Sequence, residues 1–320
     1  MAARQLLTIS GRERTDNVNT TRHRRTTDGH THINQRGQLI LFRHGQTTSN
    51  LITALDTAVP GADLTTMGVE QAFTGGERIV VDRALSRAAV NLDKNDGSPT
   101  PDAPRPVIIS SEALRATRTA QLVAQGMMNQ GAIVSTASPT PHGLVLTPIT
   151  DNHNDQTIPT AIPGLTEVVA GDLEMNTDPE SIETYRHTQL QWSKGSMHVR
   201  MPGGQTGWET RRRVLEGLAP LLPILMPGAV NTEPRTIRDL IAVIHGSLMR
   251  FIAGQLAGVE AHFVQDSYIT NCRWIVLEAP ARLDLAHATY HDIEQSCGTW
   301  HVKQWAWLPG EHVRLQNSDR

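Results

Sequence analysis

The segment Leu39-Ile40-Leu41-Phe42-Arg43-His44-Gly45 sets four consecutive apolar side chains directly before a cation, an imidazole and a glycine. A run without polar alternation suits a strand buried on both faces, because neither side of it meets water. Two later stretches repeat the pattern: Val107-Ile108-Ile109 precedes Ser110-Ser111, and Leu240-Ile241-Ala242-Val243-Ile244 precedes His245-Gly246-Ser247. Residues 65–81 read as a helix starting near Thr65 or Thr66, residues 113–128 as another, and residues 274–277 as a further strand. Buried strands alternating with helices predict an α/β sandwich.

Working outward, residues 1–37 are rich in Arg, Thr, Asn and His and lack an apolar period. Such a stretch cannot bury enough surface to offset its ordering entropy, so the expectation is a disordered tail followed by a domain over 38–320. Within the tail, Arg22, His23, Arg24 and Arg25 form a basic cluster, open either to contact with nucleic acid or to plain solvation. Stretches near 93–106 and 129–163, polar and rich in proline, read as loop insertions. The second comes just before a candidate glutamate and is either a lid over the site or an inert surface excursion.

The 320 residues are 38% hydrophobic and 19% charged, ample for a full core. A net charge of -3 provides no general field for nucleic acid or an anionic membrane, so attraction for an anionic substrate has to be local. Cys272 and Cys297 show neither metal-ligand spacing nor a disulfide framework. No signal segment follows Met1, and residues 214–230 are interrupted by Glu216, Pro220, Pro223 and Pro227, so the expected setting is the cytoplasm, with no membrane partner.

Chemistry concentrates where the apolar runs end. In open α/β sheets ligands collect at the carboxyl ends of strands, and there the chain offers Arg43 and His44, then Arg115 in the first turn of a helix, then His245. Arg118 reads as a solvated helix residue. Guanidinium forks suit phosphate oxygens, and a neutral imidazole can attack phosphorus.

These residues lie in segments that together resemble the histidine phosphatase superfamily, which includes the cofactor-dependent phosphoglycerate mutases. The matching segments are Leu41-Phe42-Arg43-His44-Gly45, Leu64-Thr65-x-x-Gly68-x-x-Gln71-Ala72, Ser110-Ser111 with Arg115 and Thr119-Ala120, Leu165-x-Glu167 with Gly171-Asp172-Leu173-Glu174, and Val243-Ile244-His245-Gly246. The resemblance implies a three-layer α/β/α sandwich around a mostly parallel central sheet. It implies a metal-independent phosphomonoester hydrolase without cofactor, acting on a small-molecule phosphate monoester through a phosphohistidine on His44. Glu167 stands in the family's proton-donor position, and Arg43, Arg115, His245 and Asn50 would line the phosphate pocket. Glu174 reads as structural.

Two departures matter. In Pro202-Gly203-Gly204-Gln205-Thr206, Gln205 stands where the family usually has glutamate, removing one negative charge near the site. Residues 55–63 lack the aromatic Gly-Trp-x-Asp segment that goes with mutase activity, which favours hydrolysis over return transfer. A catalytically silent module that binds phosphorylated ligands is the reading from another class. It has no use for both a nucleophile and a proton donor. Substrate identity and oligomeric state are left open.

Overall fold

The computed structural model describes residues 36–92, 105–150, 157–227 and 237–316. The strands are β1 (Leu39–Arg43), β2 (Val107–Ser110), β3 (Ser135–Thr140), β4 (Gly143–Pro148), β5 (Thr160–Ala161), β6 (Leu240–Ile244), β7 (Trp274–Glu278), β8 (His301–Trp305) and β9 (Leu308–Pro309). The helices are α1 (Thr48–Leu51), α2 (Thr66–Leu92), α3 (Leu114–Asn129), α4 (Pro179–Ser193), α5 (Gly207–Leu218), α6 (Gly246–Ala257), α7 (Ala261–Asp266) and α8 (Tyr290–Gln295). The strands join in one mixed sheet of order β4-β3-β2-β6-β1-β7-β8-β9, with β5 beside β2. Its centre, β3-β2-β6-β1, is parallel, and both flanks are antiparallel.

Each apolar run is buried along its whole length because its two faces feed two cores. Leu39, Leu41, Val107, Ile109, Leu240, Ala242 and Ile244 pack on one side with Trp192, Val214, Leu215, Phe251 and Leu256 of α4, α5 and α6. Ile40, Phe42, Ile108, Ile241 and Val243 pack on the other with Ala72, Ile79, Ala120, Val123 and Met127 of α2 and α3. Fully burying one such large side chain contributes about 1.5–3 kcal/mol. The architecture is therefore a sheet between two helical layers, as the resemblance implies.

The supposed loop at 129–163 needs correcting. Its described part builds the hairpin β3–β4 and the short β5, with β3 joining β2 in parallel at Val107↔Ser135. Arg36 and Gly37, assigned to the tail from sequence, are instead anchored. Arg36 donates to the carbonyls of Pro280 and Leu283, and the Gly37 amide donates to that of Leu225. The expected disorder of residues 1–35 and the expected loop at 93–104 fall outside the described residues. Among the described residues, no helix is long and apolar enough to cross a membrane.

Candidate active site

The pairing register of β1 and β6 sets the centre of the site. Arg43 lies opposite Ile244, and the His44 amide continues the ladder by donating to the Ile244 carbonyl at 3.0 Å. His44 and His245 thus occupy the next step of adjacent parallel strands. Their ring centroids are 5.3 Å apart, close to the strand spacing of about 4.8 Å. Both rings are buried.

His44 is held in one tautomer. Its Nδ1 lies 2.7 Å from the carbonyl oxygen of Gly45, which can only accept, so Nδ1 carries the proton. Burial first, then the charges of Arg115 and Arg43, keeps the ring's pKa well below the ordinary histidine value. A neutral ring protonated on Nδ1 has its lone pair on Nε2. The Gly45 amide in turn donates to Thr119 Oγ1 at 2.9 Å, and that hydroxyl donates to the Arg115 carbonyl at 2.6 Å. This hydroxyl links the turn after β1 to α3.

The Leu-Thr-x-x-Gly segment has a steric role beside this turn. A Cβ on Gly68 would lie 2.1 Å from the Gln46 carbonyl oxygen, and one on Gly45 would lie 2.5 Å from the Gly68 carbonyl oxygen. The two backbones therefore touch without intervening side chains.

Arg43 and Arg115 bring their guanidiniums to the site from β1 and from the first turn of α3. Arg43 donates Nη1 to the Ile269 carbonyl and lies over the Tyr268 ring at 5.0 Å. Arg115 donates Nη2 to the Asp56 carbonyl at 3.0 Å and faces the Asp56 carboxylate at 3.6 Å. Arg43 Nε, and Arg115 Nη1 that faces this carboxylate, are nonetheless buried without a hydrogen bond. A buried donor left unspent is costly unless a ligand atom meets it. Two such donors from separate elements are suited to oxygens of one anion.

His245 is held at both ring nitrogens. Its Nδ1 accepts from Arg115 Nε at 3.3 Å, and its Nε2 lies 2.6 Å from Ser111 Oγ. With Nδ1 accepting, Nε2 carries the proton and donates to the serine. Both ring nitrogens are therefore engaged by protein in this state.

Asn50 completes a capping box with Thr47 at the start of α1, and its Oδ1 also accepts from Asn271 Nδ2 at 3.2 Å. Asn271 also donates to the His44 carbonyl at 2.9 Å. Glu167 reaches the amino end of α6. Its Oε1 accepts from the amides of Val168 and Leu248, at 2.8 and 2.7 Å, and its Oε2 accepts from Ser247 at 3.1 Å. Ser247 and Leu248 come two and three residues after His245, so the carboxylate is anchored within a few residues of that imidazole. Glu174 instead accepts from the Thr57 and Ala58 amides at 2.7 and 3.0 Å, tying down the segment that carries Asp56. Arg118 pairs at the surface with Asp63.

Sequence reasoning named the groups that converge and missed those that hold them. Asp56, Asn271 and Tyr268 carry no sequence signal, since each sits in a loop and acts on a neighbour defined only by the fold. Asp56 Oδ2 accepts from Ser49 Oγ at 2.7 Å and from the Ala62 amide at 2.9 Å, which aims its other oxygen at Arg115. Both cysteines are free thiols, and burial pushes Cys272 up to about 12.

Residues 146–283 match the family model described as histidine phosphatase superfamily (branch 1). The matched span includes Glu167 and His245, while Arg43, His44 and Arg115 precede it. No curated protein matches the chain in sequence. Among solved structures, one titled Mycobacterial hydrolase 1 aligns with a TM-score of 0.51 and 17% identity, covering 85% of this chain and 98% of that chain. Mycobacterial hydrolase 2 gives 0.51 and 17%, covering 86% and 91%. A mycobacterial glucosyl-3-phosphoglycerate phosphatase complexed with VO3 gives 0.50 and 18%, covering 84% and 98%. At these identities the likeness is one of fold, a mixed sheet with a parallel centre flanked by helices.

Proposed function

We propose that this chain is a phosphomonoester hydrolase that works without a metal, passing the phosphoryl group through Nε2 of His44. The observation that carries this reading is the His44 ring, buried, neutral and fixed with its lone pair on Nε2, flanked by two guanidiniums with unspent donors. A binding module needs the cations, whereas a tautomer locked for attack serves covalent catalysis.

In the first step the Nε2 lone pair forms a bond to phosphorus while the bond to the ester oxygen breaks. The proton needed by that oxygen comes from Glu167, and the charge on the equatorial oxygens is met by Arg43 and Arg115. In the second step water attacks phosphorus, the N–P bond breaks, and Glu167 takes the water's proton. Placing a phosphate dianion beside His245 favours a second proton on that ring, releasing Nδ1 from Arg115 and turning it into a donor. Asn50, half-buried next to the turn, lines the same pocket.

The substrate class is a small phosphate monoester, and a cytoplasmic setting matches such a substrate. Brief reaction with a radiolabelled aryl phosphate followed by alkaline quench tests the reading. Label should appear on His44 as acid-labile, alkali-stable phosphohistidine and should be absent from His44→Ala. Turnover by His44→Ala at the wild-type rate would refute it.

A further inference from the structure

Glu167 sits on a loop that one side chain grips. Arg213, on α5, donates Nη1 to the carbonyls of Gly164 and Thr166 at 2.7 and 2.8 Å, and Nη2 to the carbonyl of Glu167 itself at 2.7 Å. Its Nε donates to Gln205 Oε1 at 2.8 Å. The loop is shaped for this grip. Gly164 has φ +90°, and a Cβ there would stand 2.5 Å from the Arg213 carbonyl oxygen, so loop and helix approach more closely than a side chain permits.

Each of those acceptors is neutral, while a guanidinium stays charged. Burial pushes Arg213 down to about 10, and the charge of Glu167 opposes that shift. A carboxylate at position 205 would compensate the cation on the spot. Gln205 supplies the hydrogen bond without the charge.

We propose that Arg213 is the positioning residue for Glu167, and that neutral Gln205 leaves its cationic charge to act on the Glu167 carboxyl. This rests on the reading of Glu167 as proton donor. Other groups facing that carboxyl are Tyr185 of α4 and Arg250 of α6, with Arg186 and Glu174 beyond Arg250 and Tyr185. Arg250 donates to the carbonyls of Gly246, Val264 and Gln265, away from the loop, and Tyr185 Oη donates to the Val168 carbonyl. Arg213 alone among these cations holds the backbone on both sides of the carboxyl.

The leaving group separates positioning from general structural support. Nitrophenolate departs without a proton, whereas an alkoxide needs one, and kcat/KM reports the steps through transfer to His44. With the full chain, Arg213→Gln should lower kcat/KM for an alkyl phosphate by about 100-fold and for p-nitrophenyl phosphate by only about threefold. Gln205→Glu should move the alkaline limb of the alkyl-ester profile to higher pH, because the added negative charge makes the proton harder to remove, while the aryl profile stays in place. Equal losses on both esters for Arg213→Gln, or an unmoved limb for Gln205→Glu, would overturn the proposal. Should Arg213→Gln fail to fold, the Gln205→Glu profile decides. Absence of label on His44 in the wild-type protein is distinguishable from both, and would remove the site reading and this proposal together.

Discussion

Arg115 donates its Nε to Nδ1 of His245 at 3.3 Å, so a permanent cation sits against a ring nitrogen that carries no proton in this contact. His245 and His44 are both held well below the ordinary histidine pKa of 6.5, by burial first and then by Arg115. In the unfolded chain both rings take up protons near that value. The unfolded state therefore binds more protons than the folded one below it, and stability, fully present above pH 6.5, is lost as pH falls. Urea unfolding should show a midpoint that declines from pH 7 to pH 5. Replacing both rings, His44→Asn with His245→Asn, should flatten that decline, and an unchanged slope would contradict the assigned neutrality.

Asp56 gives Arg115 its carboxylate. Asp56→Ala leaves a buried cation unpaired and should cost about 3–5 kcal/mol of stability. Inorganic phosphate, by taking the vacated electrostatic role, should raise the melting temperature of Asp56→Ala more than that of the wild type. Equal shifts would mean that the carboxylate does not govern Arg115.

Vanadate, an oxyanion of phosphate's shape and charge, should bind where Arg43 Nε and Arg115 Nη1 make no hydrogen bond. Saturation at about 100 times its Kd should stabilise the fold by about 2.7 kcal/mol and block turnover competitively. Arg43→Ala should abolish that stabilisation. Treatment with a chelator should leave turnover where it was.

Gly68 tests whether backbone contact shapes the turn after β1. Gly68→Ala forces a Cβ against the Gln46 carbonyl oxygen at 2.1 Å, a clash that has to be relieved by moving the turn. Overpacking of this kind costs about 1–3 kcal/mol, and here it should also lower turnover at temperatures where the protein is fully folded. Wild-type kcat in the folded variant would show that the turn has slack.

The central strands were legible because a segment covered on both faces has no place for polar residues, and Ile40 and Phe42 face one core while Leu39 and Leu41 face the other. The hairpin was not. β3 reads Ser-Thr-Ala-Ser-Pro-Thr and β4 is largely exposed, so backbone pairing along the flank, and little apolar pattern, defines them. The same division runs through the site. His44, Arg43, Arg115 and His245 stand at strand ends or in a helix's first turn, where local pattern predicts them. Asp56 and Asn271 meet their partners across separations of 59 and 227 residues, which only the folded chain closes.

The hairpin β3–β4 and the meander β7–β8–β9 leave β2, β6 and β1 in the interior of the sheet, with β6 one strand step from each of the other two. That step is the ruler for the histidine pair. Deleting one residue from β6 would invert the facing of every side chain beyond the cut and turn one imidazole toward the opposite helical layer. Loops elsewhere can lengthen or shorten without touching this measure, so a fold built this way can diversify what it admits while its reactive centre keeps a constant gauge.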